Sequence, residues 1–163
     1  KAGSWEYDII IPGYKCNMTD IMASIGLVQL DRYPKLLERR LELVEKYNKG
    51  FEGSRVIPLV HNTKDHKSSN HLYITHVEGA TFEQRGEIIT KMAERGISCN
   101  VHYKPLPLLT AYKNLGFDMN NYPNAYSYYV NEVTLPLHTC LSDEDIEVIV
   151  ENFKEVIAEV VGE

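Results

Sequence analysis

The sequence of 163 residues has no long apolar run, no surplus of positive charge and few cysteines. A helix that spans a bilayer needs about 20 consecutive, mostly apolar residues, so a membrane protein is disfavoured. Residues 1–8 lack the apolar core of a signal peptide, and we therefore expect a cytoplasmic protein. The net charge of −6 disfavours nucleic acid as a partner, because nucleic-acid binding needs a basic face.

The three cysteines, Cys16, Cys99 and Cys140, lie far apart in the sequence. A disulfide framework or a zinc knuckle needs cysteine pairs at short spacing, so free thiols are the simpler interpretation. Each thiol could in principle act as a nucleophile. The sequence also contains no phosphate-binding glycine loop and no serine nucleophile elbow, which removes two common classes of catalytic site.

Four histidines recur at intervals of five residues and at first suggest a metal site: His61, His66, His71 and His76. An odd interval along a strand places two side chains on opposite faces of the sheet. Because metal ligands must converge on one ion, we predict no metal site here.

The length of the chain and its pattern of apolar residues predict one α+β domain, with a long helical segment that leads into it. Thr19 can cap a helix that begins at Asp20. Pro34 predicts a kink in that helix or a new helix start. The domain boundaries that follow from this pattern are an arm at 1–17, a long kinked linking helix at 18–53 and an α+β small domain at 54–163.

The small domain is predicted to be a small sheet covered by helices. Strands are expected at 55–60, 71–77, 97–103 and 134–137. Thr81 and Gln84 form a capping-box pattern for the helix that lies between the second and third of these strands, which predicts a βαβ-like unit. Ser142 is expected to cap a last helix with a continuous apolar face.

Two segments are candidates for binding. The run His102, Tyr103, Lys104 and Pro105 follows a predicted strand in a loop broken by proline, where it could hold a phosphate or sugar hydroxyls. A His–Tyr pair can equally be structural packing. Residues 13–20 form a polar turn that leads into a helix N-terminus, where an anion could bind or where the residues could simply cap the helix.

Several segments resemble the DegT/DnrJ/StrS sugar aminotransferases. Residues 13–30 resemble the family signature G-Y-N-x-R-M-T-D-I-x-A-A-x-G-L-x-Q-L, and residues 71–73 resemble its H-L-Y strand. Residues 96–106 resemble the segment G-I-x-x-x-x-H-Y-x-P-L, and residues 135–145 resemble the final L-P-L strand and the start of the last helix. These matches follow the family order along nearly the whole chain.

The resemblance implies the C-terminal small domain of a fold-type I aminotransferase, similar to aspartate aminotransferase. Enzymes of this family use pyridoxal phosphate to transfer an amino group, usually from glutamate, to a keto carbon of a nucleotide-linked sugar. They work as homodimers with shared active sites. The resemblance therefore implies a 4-keto nucleotide sugar as substrate, in polysaccharide or glycan synthesis.

The resemblance also assigns roles to residues. It implies that Asn17 hydrogen-bonds the cofactor phosphate across the dimer, with Lys15 and Tyr14 close by. Many members have asparagine and arginine at the positions of Lys15 and Asn17, which is a departure from the commoner pattern. The same resemblance places His102 and Tyr103 at the sugar-nucleotide pocket, and His71 near it.

The family's catalytic lysine lies in an S-F-x-x-x-K segment that these residues do not contain. The family pattern places that lysine and the carboxylate that contacts the pyridine nitrogen before Lys1. We therefore predict no catalytic residue within the chain and expect it to be an inactive fragment of the enzyme. The alternative is a non-catalytic module for dimerisation or for binding a nucleotide sugar.

Overall fold

The computed structural model of the chain describes Tyr14 and residues 16–162. The chain divides into two units, Lys1–Pro34 and Lys35–Glu163. Within the described part of the chain, no helix combines the length and the apolar character that a bilayer crossing requires.

The helix α1 spans Asp20–Gly50 and contains Pro34. The predicted start at Asp20 is confirmed, whereas a second helix starting at Pro34 is wrong because α1 continues through it. Proline removes one backbone donor, and the residue whose carbonyl loses its partner, Leu30, is 66% exposed. Water can therefore solvate that carbonyl, which lowers the cost of the missing bond. The kink and the predicted domain boundaries stay predictions.

Among the described residues, the sheet has three antiparallel strands in the order β1–β2–β3. Strand β1 is Val56–Pro58, β2 is Tyr73–Val77 and β3 is Glu132–Leu135. Tyr73 pairs with Leu135 and His76 pairs with Glu132, so successive side chains alternate between two faces. The core face carries apolar side chains of all three strands: Val56, Tyr73, Val77, Val133 and Leu135.

A stack of aromatic rings joins α1 to the core face of β2. The rings of Tyr47 and Tyr73 lie 4.4 Å apart between centroids and are inclined by only 17°. The hydroxyl of Tyr47 donates to the carbonyl of Pro136 at 2.8 Å, and that of Tyr73 donates to Oδ1 of Asn48 at 2.9 Å. Burial raises the pKa of both phenols, so both hydroxyls stay protonated and act as donors.

The helix α2 (Phe82–Glu94) and the helix α5 (Asp143–Val161) pack together on the same core. Both predicted N-terminal signals are confirmed: Thr81 and Gln84 form a capping box, and Ser142 forms one with Asp145. On the surface, Arg95 forms ion pairs from the end of α2 to α5. The core side chains of α5 are Ile146, Ile149, Val150, Phe153, Val156 and Ile157.

The predicted βαβ-like unit is wrong. Residues 97–103 form no strand beyond an isolated bridge, in which Asn100 and Thr134 exchange backbone hydrogen bonds of 3.0 and 2.8 Å. The bridge is antiparallel, whereas a βαβ unit requires a parallel pair. The segment after α2 therefore runs antiparallel to β3 for one residue pair and then leaves the sheet.

Between this segment and β3 the chain forms short helices. A 3₁₀ turn at Leu106–Leu108 is followed by α3 (Thr110–Asn114). A second 3₁₀ turn at Met119–Asn121 leads to α4, Pro123–Val130, which begins at a proline.

Two valines of α5 provide a matched test of the core. Val156 is fully buried, whereas Val148 is 52% exposed. We expect Val156→Ala to lower the free energy of unfolding by about 2 kcal/mol, because it removes buried methyl groups and leaves a cavity. Val148→Ala should change it by less than about 0.5 kcal/mol. Urea unfolding curves check both values, and equal losses would contradict the described packing.

The thiol of Cys99 packs against the core, and burial raises its pKa to about 12. The reactive thiolate is therefore scarce at neutral pH and increases only in strongly alkaline solution. We expect iodoacetamide at pH 8 to modify the exposed Cys140 at least about 100-fold faster than Cys99. Peptide mass spectrometry measures both rates. The difference should disappear in guanidinium chloride, and its absence in the native protein would contradict the burial.

Candidate functional site

The loop that carries His102 and Tyr103 begins where the chain leaves the edge of β3. The backbone of Asn100 is paired with Thr134, and the side chain of Asn100 accepts the N–H of Val101 at 2.8 Å. The peptide bond between His102 and Tyr103 is cis. The loop thus starts from a fixed point on the sheet.

Glu132, the first residue of β3, lies beneath this loop and is only 4% exposed. One of its carboxylate oxygens accepts the backbone N–H of His102 at 3.0 Å. The other accepts the hydroxyl of Thr134 at 2.5 Å. Hydrogen bonds to a charged acceptor are shorter and stronger than those between neutral groups. Glu132 therefore ties the loop to the sheet.

The loop and α4 border an open cleft of about 230 Å³, which lies on the face of the sheet opposite the core. Tyr103 is 75% exposed and Tyr128 is 57% exposed, so two phenol rings face solvent here. Within the described residues, Nδ1 of His102 is buried without a hydrogen-bond partner. The lining residues are Leu59, Ile74, His102, Tyr103, Ala125, Tyr128, Tyr129 and Glu132.

The helix α4 is held by aromatic contacts with the sheet and with α2. The ring of Tyr128 meets His76 of β2 edge-on, with 4.3 Å between centroids. Tyr129 lies beside the buried Arg85, whose guanidinium carbon is 4.8 Å from the ring centroid. These contacts make α4 a firm wall of the cleft. Rings and polar atoms arranged in this way suit a ring-shaped ligand that carries hydroxyl groups.

His71 is not brought to this cleft. It precedes β2 and is exposed, and its carbonyl accepts a hydrogen bond from Arg40 at 3.1 Å. The same guanidinium nitrogen donates to the carbonyl of Leu137, beyond the end of β3. Because Glu132 starts β3, His71 lies at the opposite end of the β2–β3 pair from the cleft.

The other histidines of the five-residue series have local partners. Nδ1 of His61 lies 3.3 Å from the hydroxyl of Ser68, and Nδ1 of His66 lies 2.8 Å from that of Thr63. Within the described residues, no group of histidine, cysteine and carboxylate side chains is placed to hold a metal ion.

The predicted cofactor-binding residues belong to the first unit. Tyr14 is 99% exposed and Asn17 is exposed, whereas Lys15 lies outside the described residues. Thr19 caps α1 as predicted, since its hydroxyl accepts the N–H of Met22 at 3.3 Å. Asn17 thus stands just before an exposed helix N-terminus.

Sequence reasoning missed Glu132, Tyr128 and Tyr129. In the sequence, the feature that could have indicated the tyrosines is their position as an aromatic doublet at the end of a helix, directly before a strand. Glu132 carried no such signal, because its role depends on a segment 30 residues away in sequence.

Comparison with known proteins identifies the family. The sequence model of the DegT/DnrJ/EryC1/StrS aminotransferase family matches residues 1–154. The chain is 34% identical over 163 residues to the spore coat polysaccharide biosynthesis protein SpsC of Bacillus subtilis. This match covers 95% of the chain and 41% of SpsC.

Solved structures agree in fold. Spr1654 from Streptococcus pneumoniae, assigned as a sugar aminotransferase and solved in a PLP form, is 66% identical with a TM-score of 0.89. That match covers 97% of this chain and 40% of Spr1654. PseC of Helicobacter pylori, an aminotransferase of pseudaminic acid biosynthesis, is 29% identical with a TM-score of 0.80, over 98% of this chain and 43% of PseC.

The chain thus spans about two fifths of the length of the relatives that it matches. The predicted fold class, the small α+β part of a fold-type I aminotransferase, is confirmed by these structures. The chain belongs to the DegT/DnrJ/EryC1/StrS aminotransferase family.

Proposed function

We propose that this chain forms the small-domain part of a pyridoxal-phosphate-dependent aminotransferase that acts on a 4-keto nucleotide sugar, with glutamate as amino donor. Family membership supports the reaction class. The observation that carries the sugar-binding role is the cleft, which His102 and Tyr103 line and in which Glu132 holds the backbone of His102 over the sheet. A role in polysaccharide or glycan synthesis follows from this substrate class, and we place the enzyme in the cytoplasm.

Pyridoxal phosphate, when bound, provides an electron sink for the transfer of an amino group. The described residues fit its phosphate group. Asn17 is exposed and can donate hydrogen bonds through its carboxamide, and it precedes the N-terminus of α1, where backbone N–H groups and the helix dipole favour an anion. We assign Asn17 to the phosphate, with Lys15 and Tyr14 beside it.

The apolar side chains of the first unit support an assembly larger than this chain. Between Ile21 and Leu30, six large apolar side chains are each about 60% exposed or more: Ile21, Met22, Ile25, Leu27, Val28 and Leu30. Such a surface is unfavourable in water and is typical of an interface. We propose that it is covered in a homodimer with shared active sites, in which Asn17 serves the partner's cofactor.

In the cleft, the residues of this chain bind and orient the sugar nucleotide. The exposed ring of Tyr103 offers a stacking surface and a hydroxyl, and the imidazole of His102 lines the cleft beside it. His71 lies away from the cleft. It could therefore contact only a part of the substrate that extends out of the cleft.

Replacing Asn17 tests the cofactor assignment. In the full-length protein, Asn17→Ala should weaken pyridoxal phosphate binding roughly tenfold or more, because a hydrogen bond to a charged group is lost. Fluorescence titration of the cofactor-free protein measures the affinity. The matched variant Asn114→Ala, at an exposed position near the end of α3, should leave it unchanged. Equal affinities of the two variants would exclude the role assigned to Asn17.

Replacing Tyr103 tests the substrate site. In the full-length protein, Tyr103→Ala should raise the KM for the nucleotide-linked keto sugar about tenfold, since stacking on an aromatic ring is lost. The half-reaction with glutamate should keep its rate, because it does not use the sugar site.

The control is Tyr126→Ala, an equally aromatic position of α4 that does not line the cleft. An unchanged KM in Tyr103→Ala would refute the substrate site. The alternative of a non-catalytic binding module predicts that the full-length protein binds the nucleotide sugar but transfers no amino group, which the same assay detects.

A further inference from the structure

We propose that Glu132 is a positioning residue whose buried carboxylate holds the His102–Tyr103 loop in the conformation that receives the substrate. This inference rests on the proposed function, because it concerns the same cleft. Glu132 acts through the loop and does not itself contact the reacting atoms.

The contacts of Glu132 account for this role. Its side chain rises from the cleft face of β3, and one carboxylate oxygen accepts the N–H of His102. The hydroxyl of Thr134, two residues along the same face, donates to the other oxygen. Both oxygens of a nearly fully buried carboxylate are thus engaged by donors of known position.

After the paired residue Asn100, which fixes the start of the loop, the loop has few other hydrogen bonds to hold it. Within the described residues, the next backbone hydrogen bond after His102 is accepted by the carbonyl of Pro105, where the 3₁₀ turn begins. Tyr103 lies between these two points and is 75% exposed. Its orientation toward the cleft therefore depends on the fixed position of His102, and that position depends on Glu132.

The chemistry of the side chain separates positioning from direct contact with the substrate. In Glu132→Gln, the amide oxygen can still accept the N–H of His102, while the amide nitrogen can donate to the hydroxyl of Thr134. The loop geometry survives this change, whereas the negative charge does not. A residue that acted on the substrate through its charge would lose its function in Glu132→Gln as fully as in Glu132→Ala.

The experiment compares four variants of the full-length protein with the wild type: Glu132→Ala, Glu132→Gln, Thr134→Val and the control Glu87→Ala at an exposed position of α2. Hydrogen exchange of a peptide covering residues 100–105 reports the loop without any ligand. A peptide covering residues 146–157 of α5 reports the core. Calorimetric titration with UDP-N-acetylglucosamine, used as a probe, reports the cleft.

We expect Glu132→Ala to speed exchange in the loop peptide about tenfold and to weaken probe binding roughly tenfold, with unchanged exchange in α5. Glu132→Gln should stay within about threefold of wild type in both measurements, and Thr134→Val should fall between them. Glu87→Ala should match the wild type. If Glu132→Ala also loosens α5, Thr134→Val decides, because it removes one hydrogen bond and keeps the carboxylate.

Unchanged exchange of the loop in Glu132→Ala and in Thr134→Val would overturn the inference. A loss of probe binding in Glu132→Gln equal to that in Glu132→Ala would also overturn it, since the charge itself would then matter. Two further variants, His102→Ala and Tyr103→Ala, give failure of the proposed function a different signature. In that case both would leave probe binding unchanged, or the wild type would not bind the probe. The exchange of the loop peptide would still decide the role of Glu132.

Discussion

The stacked pair of Tyr47 and Tyr73 is the contact on which the arrangement of the second unit depends. It fixes the end of α1 against the central strand β2, and its two hydroxyls reach a carbonyl beyond β3 and a side chain of α1. Both phenols are buried, so each hydroxyl must keep its partner or bear the cost of an unsatisfied donor. One pair of rings therefore sets the separation and the angle between helix and sheet.

The second face of the sheet is built on that frame. The side chains of the central strand β2 alternate, so Tyr73 and Val77 point into the core whereas Ile74 and His76 lie on the opposite face. The helix α4 closes over the cleft face through Tyr128 on His76 and through Tyr129 beside Arg85. The cleft is thus an outcome of core packing. Its floor is the sheet, its wall α4 contacts the sheet, and the opposite face of the sheet is buried in the core.

The parts of the fold that local sequence determines were predictable. The caps at Thr19, Thr81 and Ser142 need only residues within the first helical turn, and all three are confirmed. The predicted strand at 97–103 failed because strand formation needs a partner, and only Asn100 finds one. His102 and Tyr103 could be named from the loop and the resemblance, whereas Glu132 could not, because its contacts join distant parts of the chain.

The division of one sheet into a core face and a cleft face also constrains how the sequence can change over time. Substitution of Ile74 can reshape the cleft while Val56, Tyr73 and Val133 keep the core intact. Insertion or deletion of a single residue within β3 is different, because it would turn Glu132 and Thr134 toward the core and core valine and leucine toward solvent. Divergence of this cleft should therefore proceed by exchange of side chains in the strands, with changes of length confined to the connecting loops.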